Sequence, residues 1–237
     1  MRPNSVRNRH SQIMQEIGRR IVGGELKPGE VLMREELMAQ QMAISRTALR
    51  ESMRVLASKG LIETRQKTGT RVREPSYWSH LDPDILAWRC ETLPTQDFID
   101  KLSEMREIIE PAAAAAAAGR RSPAQLARIL SAYKAMEAAA SMDAWAQADL
   151  EFHESVLAAT NNELMTSLFS VIETALGTYF MLSARKAATD FKYSLPRHLA
   201  IYEAIKGKNR ELARRSMMDM IADSRDNARR KSKRKKA

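Results

Sequence analysis

The chain has 237 residues, which is long enough for two domains with hydrophobic cores of their own. Its only cysteine, Cys90, excludes an internal disulfide and a cluster of thiolate metal ligands, so we expect a protein of the reducing cytoplasm. No apolar run reaches the roughly 20 residues of a membrane span, and the polar first ten residues do not resemble a secretory signal.

The net charge of +10 is distributed unevenly along the chain. Residues 1–75 and residues 225–237 each carry a net charge of +7, whereas the stretch between them carries −4. Basic residues concentrated at the two ends indicate a head that binds a polyanion, attached to a slightly acidic body with a different task. Charge alone would also allow a protein that packages DNA nonspecifically.

The first predicted elements are two helices separated by a turn. Residues 1–9 are polar and are expected to be disordered, and His10 to Gly24 shows helical apolar spacing. Pro28 followed by Gly29 suits a turn. A short helix is predicted from Arg34 to Met42, with Leu37 as its best core candidate.

Residues 43–73 predict a recognition helix followed by a two-stranded wing. Ser45 can cap the helix start, and Gly60 suits its end. Apolar residues recur at helical spacing and would face a core: Leu49, Met53 and Leu56. Arginines lie four residues apart on another face: Arg46, Arg50 and Arg54. Short β-prone runs on either side of Gly69 indicate a hairpin. A solvated basic helix is the alternative, but helix, closing glycine and hairpin occur in the order of a winged helix-turn-helix.

The stretch from Ile17 to Val72 resembles the DNA-binding domain of the GntR family of bacterial transcription regulators. The matching motifs include IVGGELKPG at 21–29, SRTALRE at 45–51 and GLI at 60–62, and the match covers about a quarter of the chain. The resemblance implies a winged helix-turn-helix domain over residues 1–76. The residues predicted to bind DNA are Arg34, Ser45, Arg46, Thr47, Arg50 and Gly69.

The rest of the chain predicts an all-helical body. Residues 77–95 form an apolar linker, in which Asp84 to Trp88 is expected to be a short helix that packs one domain on the other. Residues 96–228 show no strand alternation and predict a bundle of six or seven helices. The seven alanines after Pro111 indicate a close helix–helix contact, because alanine favours helix and takes little space. The fold class is therefore mainly α, with a basic disordered tail at 229–237.

A second candidate site follows from spacing within this body. Asp149 and His153 lie four residues apart on one helix face, and His198 follows on another helix. A carboxylate and two imidazoles on facing helices can hold zinc or a similar divalent ion. A surface hydrogen bond between Asp149 and His153 is the alternative.

The same residues resemble the all-helical effector domain of the FadR-like branch of the GntR family, in which a metal and an organic acid bind side by side. The resemblance implies that Asp149, His153 and His198 are three metal ligands, with Met220 where a fourth is expected. Water or oxygens of the effector would then complete the coordination shell.

The resemblance also implies an anchor for the acid. Arg106 matches the position that meets the effector's carboxylate, and its planar guanidinium suits bidentate binding. A structural ion pair of Arg106 with Asp149 or Glu173 is the alternative. The residues predicted to bind the effector are Arg106, Asp149, His153, Ser170, Tyr179, His198 and Ser224.

Together these features predict a cytoplasmic transcription regulator that binds operator DNA as a homodimer, with no membrane partner. We expect a repressor that a small organic acid releases from DNA. Residues 81–88 and the long helix after residue 164 most resemble those of family members that control sugar-acid catabolism, which implies an effector such as galactonate. The competing hypothesis is a metal-dependent hydrolase that uses Asp149, His153 and His198. That hypothesis is disfavoured because the sequence supplies no clear general base.

Overall fold

The computed structural model describes the backbone of residues 4–65, 68–92, 95–184 and 192–233, and the side chains within 12–65, 68–92, 95–177 and 192–225. The chain divides into two compact units, Met1–Pro94 and Thr95–Ala237, called here the N-terminal and C-terminal units. Over the described ranges, no helix combines the length and apolar character needed to cross a membrane.

The N-terminal unit is a winged helix-turn-helix, as predicted. Its first elements in chain order are α1 (Asn4–Val22), α2 (Glu35–Gln41), α3 (Arg46–Ser58), β1 (Ile62–Arg65) and β2 (Gly69–Val72). The two strands pair antiparallel, with Ile62 opposite Val72 and Arg65 opposite Gly69. Helix α3 packs against α1, and this contact places the recognition helix on a hydrophobic core.

Helix α3 is fixed at both ends by residues that the sequence indicated. The Ser45 hydroxyl accepts a hydrogen bond from the backbone N–H of Ala48 at 3.2 Å, which satisfies one of the unpaired donors of the first turn. At the other end Gly60 adopts a φ of 78°, and a Cβ atom there would collide with the carbonyl oxygen of Tyr77. Between the ends, Leu49 and Leu56 are fully buried.

Two local predictions for this unit are wrong. Helix α1 begins at Asn4 rather than at residue 10, because its later turns are anchored in the core and the preceding polar residues extend the same helix. Leu37 is 54% exposed, whereas Ala39 is buried and Met38 packs on the core. Successive helical residues point about 100° apart, so the contact of α2 with α3 selects Met38 and Ala39 instead of Leu37.

The stretch predicted as a linker contains helix α4 (Pro83–Thr92), which packs on α1 within the N-terminal unit. Trp88 is fully buried in the N-terminal core, its ring lies against Gly18, and its indole N–H donates to Gln15 Oε1 at 2.5 Å. At the start of α4, the Lys59 ammonium lies 2.7 Å from Asp82 Oδ2 and 2.8 Å from Asp84 Oδ2. These contacts fasten α4 to the winged helix-turn-helix.

The C-terminal unit is entirely helical over its described residues. Its elements are α5 (Gln96–Arg120), α6 (Pro123–Ala138), α7 (Met142–Ala158), α8 (Glu163–Thr166), α9 (Phe169–Ala184), α10 (Leu195–Lys206) and α11 (Arg210–Lys233). The Thr95 hydroxyl caps α5 by accepting from the Phe98 N–H, and Ser122 caps α6 in a reciprocal capping box with Gln125. The count of seven agrees with the predicted six or seven.

The alanine run lies where helices meet. Ala113, Ala114 and Ala117 have no exposed surface, and α11 packs along α5. Small side chains let two helix backbones approach closely, so the run is part of the bundle core, as predicted. It joins a hydrophobic cluster that also contains Phe152 and Met220.

Two further predictions for this unit need correction. The single long helix predicted from Leu164 is divided into α8 and α9 by a turn at residues 167–168, and Leu164 is 73% exposed because the one-turn α8 leaves it outside the core. Residues 229–233 of the basic tail, predicted to be disordered, continue α11. Lysine and arginine are good helix formers, and their charge suits the negative end of the helix dipole. Residues 234–237 lie outside the described part of the chain.

Candidate functional site

Three helices of the C-terminal unit bring five polar side chains together in its interior. Helix α5 supplies two of them one turn apart, α7 supplies another two one turn apart, and α10 supplies the fifth. We call them the buried polar cluster: Arg106 and Glu110, Asp149 and His153, and His198. None is more than 4% exposed. Charged groups are rarely buried to this degree unless they are paired or bind a ligand.

Asp149 lies between the two imidazoles. Its Oδ1 is 3.1 Å from His198 Nε2, and its Oδ2 is 3.7 Å from His153 Nε2. One potential ligand atom from each of the three residues lies within 4.8 Å of the others. The side chains that spacing and resemblance selected therefore converge, so Asp149, His153 and His198 form a possible metal site.

The outer nitrogen of each imidazole is also engaged. His198 Nδ1 is 2.9 Å from the carbonyl oxygen of Ser194, which can only accept a hydrogen bond, so Nδ1 carries a proton. His153 Nδ1 contacts the carboxylate of Glu110. Each outer nitrogen thus lies against an oxygen atom, and the two Nε2 atoms face Asp149, which is how metal-binding histidines are oriented in proteins.

Glu110 connects His153 to Arg106. Its Oε2 contacts His153 Nδ1, and its Oε1 accepts a hydrogen bond from Arg106 Nε at 2.5 Å. Burial by itself would raise the pKa of Glu110, but the charge of Arg106 and the contact with His153 outweigh it and lower that pKa to about 2. Glu110 is therefore ionised throughout the physiological pH range.

Asp149 is held in its ionised form in a similar way. Burial opposes its charge, but the contact with His198 and the nearby charges of His153 and Arg106 lower its pKa below the usual value. When both imidazoles are neutral, as binding to a metal ion requires, the buried polar cluster contains two negative charges and one positive charge. Its formal charge is −1, an imbalance that a bound cation would correct.

The residues present fit a divalent metal ion. Asp149 Oδ2 is buried and lacks a hydrogen-bond partner among the described residues, a state that costs about 1–3 kcal/mol when nothing compensates it. His198 Nε2 likewise lacks a hydrogen-bond partner among the described residues and lies 3.1 Å from Asp149 Oδ1, so a cation bound between these two atoms would satisfy both. One oxygen and two imidazole nitrogens are ligands that suit zinc.

Arg106 does form a buried ion pair, and its partner is Glu110, a residue that the sequence reading did not select. The available signal was the spacing of four residues, which places the two side chains on one face of α5. The sequence analysis named Asp149 and Glu173 as ion-pair partners of Arg106. Glu173 is exposed, and the charge of Arg106 helps to lower the pKa of Asp149. The ion pair does not exclude a carboxylate ligand, because a guanidinium has five N–H donors.

The remaining predicted residues of this site are less informative. Met220 is buried among apolar side chains, including Phe152. Ser170 and Ser224 are half-buried, and the Ser224 hydroxyl donates to the Met220 carbonyl at 3.1 Å. The side chain of Tyr179 lies outside the described residues. Contact of the effector with Ser170, Tyr179 and Ser224 stays a prediction.

The residues predicted to bind DNA are exposed in the N-terminal unit: Arg34, Ser45, Arg46, Thr47, Arg50 and Gly69. Arg46 and Arg50 project from α3, and Gly69 begins β2 at the turn of the wing, with a φ of 83°. Each arginine pairs with a carboxylate of α2, Arg46 with Glu36 at 3.1 Å and Arg50 with Glu35 at 2.9 Å. An exposed arginine on the recognition helix can exchange such a partner for a phosphate or a guanine.

A winged helix-turn-helix unit, joined in one chain to a helical unit with a buried polar cluster, is the architecture of a transcription regulator. Residues 9–72 match the bacterial regulatory proteins of the gntR family, and residues 101–223 match the FCD domain. The chain belongs to the GntR family and carries the FadR-like C-terminal domain. It is a DNA-binding transcription regulator and not an enzyme, so the hydrolase hypothesis is rejected.

Relatives of known function support this assignment. The chain is 32% identical to the galactonate operon transcriptional repressor of Escherichia coli, over 92% of this chain and 95% of that one. It is 26% identical to the Glc operon transcriptional activator of E. coli, over 88% and 84%. The fold resembles that of the Listeria monocytogenes protein Lar, which controls expression of the agr system, with a TM-score of 0.66, 19% identity and coverage of 97% and 99%.

Proposed function

We propose that this regulator is a repressor, acting in the cytoplasm, whose operator binding is weakened by a sugar acid bound together with a divalent cation in the buried polar cluster. The observation that carries the proposal is the arrangement of Arg106 beside Asp149, His153 and His198, all with almost no exposure. Similarity to the galactonate repressor over almost the whole chain supports repression and an acid such as galactonate.

The chemistry of the cluster suits such a ligand. The guanidinium of Arg106 can bind a carboxylate through two parallel hydrogen bonds. A bound zinc ion would supply positive charge and open coordination positions for carboxylate and hydroxyl oxygens. An α-hydroxy acid presents both kinds of oxygen on adjacent carbons, which matches a cation placed next to an arginine.

Charge explains why cation and acid would bind together. With both imidazoles in the neutral form that binds a metal, the cluster without a cation has a formal charge of −1 and opposes entry of an anion into its low-dielectric surroundings. A divalent cation changes the charge to +1, so the acid then neutralises the site. The affinity for either ligand should therefore rise when the other is present, by the same factor.

We further propose that two copies of the chain read an operator with two half-sites. In helix-turn-helix dimers each recognition helix enters the major groove, and the half-sites lie about 10 base pairs apart, which is one helical turn. Arg46 and Arg50 of α3 would contact bases and phosphates, together with Arg34 and Thr47, and Gly69 would approach the DNA from the wing. Analytical ultracentrifugation of the protein with operator DNA tests the stoichiometry of two.

The decisive experiment measures operator binding and its release in the same titration. Fluorescence anisotropy would follow a labelled fragment of DNA from upstream of the protein's own gene, with galactonate and related acids added with and without zinc. Arg106→Lys keeps a positive charge but removes the planar fork, so we expect normal operator binding without release by the acid.

The matched control is Arg128→Lys, because Arg128 is an arginine of the same unit whose side chain is 66% exposed and pairs with Glu154. This variant should bind and release as the native protein does. If Arg106→Lys is released from the operator at the same acid concentration as the native protein, the role of Arg106 is refuted. Failure of every tested sugar acid to release the native protein would refute the effector class.

A further inference from the structure

Glu110 is a fully buried carboxylate that belongs neither to the three candidate metal ligands nor to the acid's anchor. It nevertheless contacts one member of each group, because Oε1 accepts from Arg106 Nε and Oε2 contacts His153 Nδ1. A carboxylate is costly to bury, so its place in the interior calls for contacts that hold it there. The two contacts also determine what Glu110 does to His153.

A neutral imidazole carries one proton, and the partner of each nitrogen decides where that proton lies. Glu110 Oε1 is occupied by the Arg106 N–H, and Oε2 faces His153 Nδ1 as an acceptor, so the proton of His153 is held on Nδ1. Nε2 is then left as a lone pair that faces Asp149 Oδ2 at 3.7 Å. The other tautomer would place a hydrogen on Nε2 and would prevent it from binding a cation.

We propose that Glu110 is a positioning residue that holds His153 in its cation-binding tautomer and orientation. This role rests on the proposed function, in which Asp149, His153 and His198 bind a divalent cation. Arg106 in turn holds Glu110, so the anchor for the acid and the ligand for the cation share one carboxylate. His198 does not depend on this carboxylate, since its Nδ1 is fixed by the Ser194 carbonyl.

Glu110→Gln tests the role with little change of shape. Glutamine has one acceptor oxygen and one amide group, so it cannot accept from both Arg106 and His153. The charged guanidinium forms the stronger hydrogen bond, so the amide oxygen is expected to face Arg106. The amide N–H then faces His153 Nδ1. The imidazole should respond by moving its proton to Nε2.

The first measurement is the long-range proton–nitrogen NMR spectrum of the histidine rings in the metal-free protein, assigned with His153→Ala. We expect native His153 to be the Nδ1–H tautomer and Glu110→Gln to shift it toward the Nε2–H tautomer. The signals of His198 should stay unchanged in both proteins. An Nε2–H tautomer in the native protein, or no change in the variant, would overturn the proposal.

The second measurement is the dissociation constant for zinc alone, from competition with a chromophoric chelator. Glu110→Gln should weaken zinc binding by about 10- to 100-fold, the usual effect of removing the partner of a ligating histidine. Glu107→Gln is the matched control, since Glu107 lies on the same helix and pairs with Arg225. It should bind zinc as the native protein does.

A double-variant comparison separates positioning from general loss of stability. If Glu110 acts through His153, the substitution Glu110→Gln should have almost no further effect on zinc affinity in a His153→Ala background. An equal loss in both backgrounds would show that the effect is structural. If the native protein binds no zinc, the metal in the proposed function is refuted, and the ring spectra of the metal-free protein still decide the tautomer assignment.

Discussion

The same pairing of arginine with glutamate occurs in two very different settings in this chain. On the recognition helix, Arg46 and its partner Glu36 are each 64% exposed, whereas Arg106 and Glu110 in the C-terminal unit are at most 1% exposed. Water stabilises either exposed charge when its partner leaves, so the exposed pair is worth at most about 1 kcal/mol. The buried pair has no such substitute, and loss of one partner leaves a charge in a low-dielectric interior.

The difference suits the two proposed tasks, which are DNA binding by Arg46 and binding of an acid by Arg106. An arginine that reads DNA must release its own carboxylate and take a phosphate or a base, so a weak, solvated pair is the appropriate resting state. A residue that recognises one small acid must be held in a fixed position and must be desolvated before the ligand arrives. Each ion pair can therefore be tested by replacing one partner and measuring both the free energy of unfolding and the affinity for DNA or acid.

The largest expected effect is the loss of stability when the buried pair is broken. Arg106→Met leaves the Glu110 carboxylate buried with only His153 beside it, and we expect the free energy of unfolding to fall by about 3–5 kcal/mol. Urea unfolding followed by circular dichroism would measure the change.

The control restores charge balance without restoring the ion pair. Adding Glu110→Gln to Arg106→Met removes the second charge and keeps an oxygen that can accept from His153. The double variant should recover most of the lost stability but should not respond to the acid. A double variant as unstable as Arg106→Met would show that lost packing, rather than the unpaired charge, causes the effect.

The second effect is the dependence of stability on metal. A ligand at 100 times its dissociation constant stabilises the folded state by about 2.7 kcal/mol, so zinc should raise the melting temperature and a chelator should reverse the increase. His153→Ala is the control, because a variant without this ligand should lose most of the response. An equal response of native protein and His153→Ala would place the zinc elsewhere.

These expectations also show what the sequence could and could not predict. Features fixed by local chemistry were predicted correctly: the cap formed by Ser45, the closing Gly60 and the wing. Family resemblance and helical spacing brought the two histidines and Asp149 to one site before any fold was known. Each of these predictions depends only on residues close together in the sequence or on a known family motif.

The wrong predictions concern burial and helix boundaries that depend on packing between helices. Leu37 and Ala39 lie on one short helix, and only the contact with α3 decides which of them is buried. The break between α8 and α9 exposes Leu164, although the sequence reads as one continuous apolar helix. The role proposed for Glu110 was not predicted from the sequence for the same reason, since it depends on α7 placing His153 against α5.

The third effect concerns the exposed arginines and should appear in DNA binding rather than in stability. Arg46→Ala should weaken specific operator binding by about 1–3 kcal/mol, because a base contact or phosphate contact is lost. Its unfolding free energy should change by less than about 0.5 kcal/mol, as expected for a surface substitution. Anisotropy titrations with operator and random DNA would separate base reading from phosphate attraction.

Arg54→Ala is the matched control for Arg46→Ala. Arg54 lies on the same helix, is 79% exposed against 64% for Arg46 and also pairs with a carboxylate, but it is not among the residues predicted to bind DNA. The control should retain most of the operator affinity. If Arg54→Ala weakens binding as much as Arg46→Ala does, then α3 contributes general positive charge and not a specific contact.

The smallest effect is expected from the carboxylate that faces Arg46. Glu36 competes with DNA for this arginine and also adds negative charge close to the phosphates, so Glu36→Gln should strengthen operator binding by a few tenths of a kcal/mol at low salt. The gain should shrink as salt is raised to 0.15 M, where the screening length falls to about 8 Å. Glu51→Gln, which frees Arg54 instead, gives the comparison. If Glu36→Gln weakens binding to the operator but not to random DNA, Glu36 itself reads a base, because a carboxylate can accept a hydrogen bond from the amino group of cytosine.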